Sequence, residues 1–69
     1  MKYWIKQRNN PQTGTYYVSC GPMTHKAAKQ KERATLYGSN LMLPFPSQAE
    51  YLAEIEALKK RGERVEATP

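Results

Sequence analysis

The feature that most constrains the fold is a pair of alternating segments near the N-terminus, residues 2–8 and 15–20. Side chains in a β-strand point alternately to the two faces of a sheet, so each segment divides into two sets. The stretch between them contains Pro11 and Gly14, which suit a hairpin loop longer than two residues. The sequence therefore predicts that the chain begins with a β-hairpin.

The two sets of hairpin side chains differ in character. The set expected to face the core consists of Tyr3, Ile5, Tyr16, Val18 and Cys20. The other set carries cations, which are costly to bury without partners, so it is expected to face solvent or a partner. Its candidate nucleic-acid or partner-binding residues are Lys2, Trp4, Lys6, Arg8 and Tyr17.

A helix, a strand and a second helix are predicted after the hairpin. Thr24 is a candidate N-cap for a helix that continues to Leu36 or Tyr37, with Gly38 as its stop. Residues 40–45 read as a short edge strand, because a proline within them cannot donate to a neighbouring strand.

The last helix has the clearest signal in the chain. Ser47 and Glu50 form a capping box, and apolar residues recur at helical spacing until Gly62. One shared core is expected to hold Ile5, Val18, Leu43, Leu52, Ile55 and Leu58.

These elements predict the α+β class, in the order β-β-α-β-α. A right-handed crossover would place the third strand beside the hairpin. The result is a small two-layer domain, with a three-stranded, mostly antiparallel sheet and two helices on one face. Residues 1–62 form this single domain, and residues 63–69 are expected to be a loose C-terminal tail.

The charge of the chain is positive and unevenly distributed. The net charge is +5, and residues 1–38 hold seven Lys or Arg against a single acid. Lys26, Lys29 and Arg33 share the outer side of the first helix and form a predicted secondary basic face. That face is expected to be separate from the hairpin site, on the other side of the domain. A basic domain favours an acidic partner, either nucleic acid or an acidic protein surface.

The composition gives little support for catalysis. The chain has no Asp, one His and one Cys, which excludes a Ser-His-Asp triad. A single Cys and a single His cannot close a zinc site within one chain. Cys20 is expected to end a strand as a small buried residue, and His25 to lie in the first turn of a helix. We therefore expect a protein that is not an enzyme, with no catalytic residue, metal or cofactor.

The single cysteine and the short apolar runs indicate a soluble, cytoplasmic protein that does not enter a membrane. The few large aliphatic residues favour a homodimer, because a second copy would bury more apolar surface. Its seam is expected at the last helix or at the edge of the third strand, with Leu41, Met42 and Phe45 in the contact.

One segment of the chain is similar to a known group of domains. Residues 45–55, Phe-Pro-Ser-Gln-Ala-Glu-Tyr-Leu-Ala-Glu-Ile, resemble the sheet-to-helix junction of small sheet-based DNA-binding domains attached to phage integrases. Those domains lack a helix at the position predicted here for residues 24–37. In size, charge and lack of catalytic residues, the chain is similar to many phage and prophage accessory proteins.

The sequence therefore indicates a small binding module of this accessory type. Three interpretations of Trp4 and Tyr17 stay open: base stacking in a nucleic-acid site, hot spots of a protein interface, or a cross-strand contact that only stabilises the hairpin. The leading function is engagement of nucleic acid or a nucleic-acid-handling complex. The alternative is an inhibitor or adaptor that docks on an acidic surface of a partner protein.

Overall fold

The protein folds into one four-stranded sheet with two helices. The computed structural model describes residues 1–35 and 37–67, so the predicted helix end at Leu36 lies outside the described residues. Its elements are β1 (Lys2–Asn10), β2 (Gly14–Met23), α1 (His25–Arg33), β3 (Ser39–Phe45), α2 (Gln48–Lys60) and β4 (Val65–Ala67). The predicted α+β class is confirmed, whereas the sheet has four strands and not three.

The fourth strand comes from the segment that was predicted to be a loose tail. The sheet order is β3-β1-β2-β4, and β4 runs parallel to β2 with Val65 beside Tyr17. The backbone N–H of Tyr17 donates to the carbonyl of Arg64 at 2.9 Å. The tail prediction was therefore wrong for residues 65–67, because pairing with β2 gives this short segment a hydrogen-bonding partner.

The register of the hairpin differs from the predicted assignment of faces. Lys6 lies opposite Val18, and Gln7 lies opposite Tyr17, on antiparallel β1 and β2. A shift of one residue moves every side chain of a strand to the other face. As a result, Tyr17 shares the face of Ile5, while Val18 lies on the opposite face with Lys6.

A β-bulge interrupts the hairpin beside Trp4. The pairing changes between Trp4–Gly21 and Ile5–Ser19, which leaves Cys20 as the extra residue. Gly21 has a φ of 76°, a conformation that glycine adopts without the steric penalty of a side chain. Its backbone N–H donates to the Tyr51 hydroxyl at 3.1 Å, so α2 satisfies a donor at the bulge.

The core has two parts, one on each face of the sheet. The α2 part contains Ile5, Tyr51, Ile55 and Leu58, with Tyr3, Tyr17, Phe45 and Val65 packed against it. The α1 part contains Trp4, Ala28 and Met42, with Cys20 and Met23 packed against it. Because consecutive strand residues point to opposite faces, the neighbours Trp4 and Ile5 place the helices on opposite sides. The prediction of two layers with both helices on one face was wrong.

The predicted helix starts are confirmed, but the predicted core is only partly correct. Thr24 caps α1 by accepting from the N–H of Ala27 at 3.1 Å, and Ser47 caps α2. Helix α1 ends at Arg33, earlier than predicted. Of the predicted core, Ile5, Ile55 and Leu58 are buried, Leu43 and Val18 are half-buried, and Leu52 is 50% exposed.

The outer edge of β3 is occupied by α1. Glu32 accepts a hydrogen bond from the backbone N–H of Met42 at 2.9 Å, and Pro44 has no N–H to offer. Met42 itself is only 4% exposed. The edge therefore cannot pair with a second copy at Met42, and this residue does not belong in the predicted dimer seam.

Candidate binding surface

Trp4 lies in the core and not on a binding surface. Its side chain is 3% exposed, and its indole N–H donates to the carbonyl of Met23 at 2.9 Å. Its ring centroid lies 6.2 Å from that of His25, at the start of α1. The prediction that Trp4 stands on a solvent-facing surface was wrong, because α1 covers this position of β1.

Tyr17 lies on the opposite side of the sheet from Trp4. It packs, half-buried, against the core beneath α2. Tyr17 therefore cannot form the predicted pair with Trp4, either as a stacking platform or as a cross-strand contact.

Arg8 holds the chain together at the start of β3. Its guanidinium donates to the carbonyls of Asn9 at 3.2 Å and Ser39 at 3.3 Å, and also to the carbonyl of Tyr37. Gly38 lies so close to β1 that a Cβ at this position would stand 1.9 Å from the Asn9 carbonyl oxygen. Arg8 thus fastens residues 37–39 to β1, which leaves fewer of its donors for a ligand.

Lys2 and Lys6 lie on the same face of β1 as Trp4, but this face carries α1 and is not the helix-free face that the sequence predicted. Both alternate with Trp4 along β1, so they lie on the α1 side of the sheet. Lys2 is exposed, and Lys6 is half-buried between Val18 on β2 and Met42 on β3. Lys6 therefore has a neighbouring strand on each side and does not lie at an edge of the sheet.

Two further residues complete a basic and aromatic patch on this face. The Arg64 guanidinium lies 4.3 Å from the centroid of the Tyr16 ring, a cation–π contact. Arg64 also pairs with Glu66 at 2.7 Å. Tyr16 and Arg64 were not predicted as site residues, because the predicted register was shifted and β4 was read as a tail. We call Lys6, Tyr16, Val18 and Arg64 the open basic face.

Helix α1 leaves this patch accessible because it packs mainly on β3 and less on β1. Lys26 and Arg33 are exposed on α1, whereas Lys29 pairs with Glu32 at 3.3 Å. Since α1 packs on part of the sheet face that bears Lys6, its cations lie on the same side of the sheet as the open basic face. The prediction of a separate secondary basic face on the other side was wrong.

The charges of the whole domain are divided between the two sides of the sheet. Every charged residue falls within the described part of the chain. The α1 side carries eight of the eleven cations, Lys2, Lys6, Arg8, Lys26, Lys29, Lys31, Arg33 and Arg64. It carries two of the six acids, Glu32 and Glu66. On α2, by contrast, Glu50, Glu54 and Glu56 accompany Lys59 and Lys60.

Other kinds of site find no support in residues 1–35 and 37–67. They contain no group of three or more His, Cys, Asp or Glu side chains that could hold a metal ion. Nor does any helix in these ranges have the length and apolar character needed to cross a membrane. In comparisons with known proteins, no family model, curated protein or solved structure matched the chain.

Proposed function

We propose that this protein is a small non-enzymatic module that binds nucleic acid through the α1 side of its sheet. Eight cations but only two acids lie on that side, and this excess of positive charge is the observation that carries the proposal. Such a surface attracts the phosphate backbone at long range and releases counterions on binding. The phage-type accessory role and the cytoplasmic location expected from the sequence belong to the same proposal.

The open basic face is the proposed centre of contact. Lys6 supplies a flexible ammonium for a phosphate oxygen, and Arg64 supplies both charge and a flat guanidinium on which an unpaired base can stack. The Arg64 guanidinium carbon lies 4.3 Å from the centroid of the Tyr16 ring. This cation–π contact orients the guanidinium before a ligand arrives. Single-stranded nucleic acid is therefore the proposed preferred form.

An acidic protein partner is the second candidate. Arg64 already donates to one carboxylate, since its Nε and Nη2 reach Glu66 Oε1 at 3.2 and 2.7 Å. A carboxylate of a partner could take the place of Glu66 with similar geometry. In that case the protein would act as an inhibitor or adaptor that uses the same face.

Fluorescence anisotropy with a labelled oligothymidylate, measured across a salt series, tests the nucleic-acid proposal. Lys6→Glu is expected to weaken binding and to reduce the slope of log affinity against log salt. The matched control is Lys60→Glu, which makes the same charge change on exposed α2, across the sheet.

Comparison of the two variants distinguishes binding at the proposed surface from binding that depends only on net charge. If Lys6→Glu and Lys60→Glu weaken binding equally, net charge alone governs binding and the proposed surface is wrong. No binding by the wild-type protein at low salt would contradict the proposed single-stranded DNA site and favour the acidic protein partner.

A further inference from the structure

A groove that the proposed function does not use lies on the α2 side of the sheet. It has a volume of about 550 Å³ and is lined by Phe45, Pro46, Glu50, Ala53, Glu54 and Ala57. The two alanines occupy successive turns of α2 and leave room beside the end of β3. The apolar floor is therefore open to a side chain from outside.

The two glutamates give the groove an acidic rim. Glu50 and Glu54 are four residues apart on α2, a spacing at which like charges repel and destabilise a helix slightly. Within the described ranges, neither makes an ion pair. A cationic surface docked over the groove would remove this repulsion.

A surface with complementary properties lies in the same chain, at the bend between α1 and β3. Tyr37 is 76% exposed, although the backbone that carries it is well held. Its carbonyl accepts from the Arg8 guanidinium and from the Thr35 hydroxyl. A large aromatic side chain on a fixed backbone loses little entropy on binding, which is typical of an interface anchor.

Two cations closely precede this tyrosine in the chain. Lys31 and Arg33 are exposed in the last turn of α1. The side-chain amide of Asn40 donates to the Lys31 carbonyl at 3.1 Å and so ties this turn to the start of β3. We call Lys31, Arg33 and Tyr37 the Tyr37 knob.

The knob cannot reach the groove of its own chain. The knob precedes β3 and the groove lies at the other end of this strand, seven residues long. At about 3.3 Å per residue, the two ends are roughly 20 Å apart. Contact between a knob and a groove therefore requires two molecules.

We propose that copies of this chain associate head to tail, with the Tyr37 knob of one copy in the groove of the next. The Tyr37 ring would fill the apolar floor, and Lys31 and Arg33 would lie against Glu50 and Glu54. A two-fold contact between two grooves would instead bring four carboxylates together. Contacts of this kind are heterologous and continue from copy to copy, unlike the closed homodimer expected from the sequence.

Sedimentation velocity of the full chain, without nucleic acid, tests this proposal. The wild-type protein is expected to show an average mass that rises with concentration. Tyr37→Ala removes the aromatic ring of the knob and leaves the groove intact, whereas Glu54→Lys cancels the net negative charge of the groove rim and leaves the knob intact. Each variant alone is expected to be monomeric. Circular dichroism checks that both are folded.

An equimolar mixture of the two variants gives the decisive result. The knob of Glu54→Lys can enter the groove of Tyr37→Ala, but the reverse contact cannot form. We therefore expect a species of two copies and nothing larger. The control, Glu56→Lys, changes an exposed α2 carboxylate outside the groove and is expected to behave like the wild type.

Three results would overturn the proposal. One is a wild-type protein that stays monomeric at concentrations near its solubility limit. Another is a variant mixture that stays monomeric. The third is a Glu54→Lys protein that associates as the wild type does, which would place any interface elsewhere.

Discussion

At the level of single residues, the placement of Trp4 determines which surfaces of the domain are free. Its ring fills the space between the sheet and α1, and its N–H is satisfied by the Met23 carbonyl. Exposure of Trp4 was expected because burying the cations of the same strand face would be costly. That cost does not arise, because Lys2 is exposed and Lys6 is only half-buried.

We expect Trp4→Ala to destabilise the domain by about 3–5 kcal/mol, since it leaves a large cavity in the core. This is a large part of the stability of an ordinary small domain. Trp4→Phe is expected to cost less, because it retains a ring and loses mainly the hydrogen bond to Met23. Urea unfolding followed by circular dichroism measures both. A Trp4→Ala protein as stable as the wild type would contradict the burial of Trp4.

Glu32 links α1 to the outer edge of β3 and makes this contact sensitive to pH. The hydrogen bond from the Met42 N–H, and then the one from Lys29, hold the pKa of the Glu32 carboxyl below its usual value of 4.5. A carboxyl with a lowered pKa stabilises the fold above its unfolded-state pKa, and the stabilisation disappears as the pH falls through the folded-state pKa.

Thermal melting of the wild type and Glu32→Gln as a function of pH tests this effect. The wild type is expected to melt higher at neutral pH, and its advantage is expected to shrink as the pH drops below the usual carboxyl pKa of 4.5. Glu56→Gln is the control, because Glu56 is exposed and lies 4.0 Å from Lys59. A constant difference between wild type and Glu32→Gln down to strongly acidic pH would show that Glu32 does not contribute in this way.

At the level of elements, the helix caps and the buried stripe of α2 could be predicted because they are local. Thr24 and Ser47 each accept from an N–H three residues later, and the α2 spacing puts Ile55 and Leu58 on one face. The hairpin register is not local in this sense. Both faces of β1 carry apolar side chains, so the apolar pattern alone does not decide between two registers that differ by one residue.

The two layers of helix also could not be read from the sequence. A strand with a buried residue on each face needs cover on both sides, and Trp4 and Ile5 are buried in separate clusters beneath different helices. Likewise, β4 is three residues long and exists through its pairing with β2. A segment this short gives no periodicity from which a strand can be predicted.

Helix α2 allows a matched comparison between a buried and an exposed aliphatic residue. Ile55 is 9% exposed and Leu52 is 50% exposed, although the sequence placed both in the core. Ile55→Ala is therefore expected to cost about 2–5 kcal/mol, and Leu52→Ala much less. Chemical unfolding measures the two free energies. Equal losses would mean that α2 is rotated relative to the orientation described here.

At the level of the whole molecule, the fold turns an uneven distribution of charge along the sequence into an uneven distribution between the two sides of the sheet. The basic N-terminal half supplies β1 and α1, and the less basic C-terminal half supplies α2. Because the two helices lie on opposite sides of the sheet, the cations gather on one side. The net positive charge could be read from the sequence, which also named Lys6 as a candidate binding residue. Tyr16 and Arg64 could not be predicted, because they meet only through the pairing of β2 with β4.

A nuclear magnetic resonance titration tests the central claim, that the α1 side binds nucleic acid, most directly. The ¹⁵N-labelled protein is titrated with an oligothymidylate at low salt, and the amide shifts are mapped on the fold. We expect the changes to cluster around Lys6, Tyr16, Val18 and Arg64, while the amides of Gln48–Lys60 stay unchanged. Changes centred on α2, or no changes at any oligonucleotide concentration, would contradict the claim.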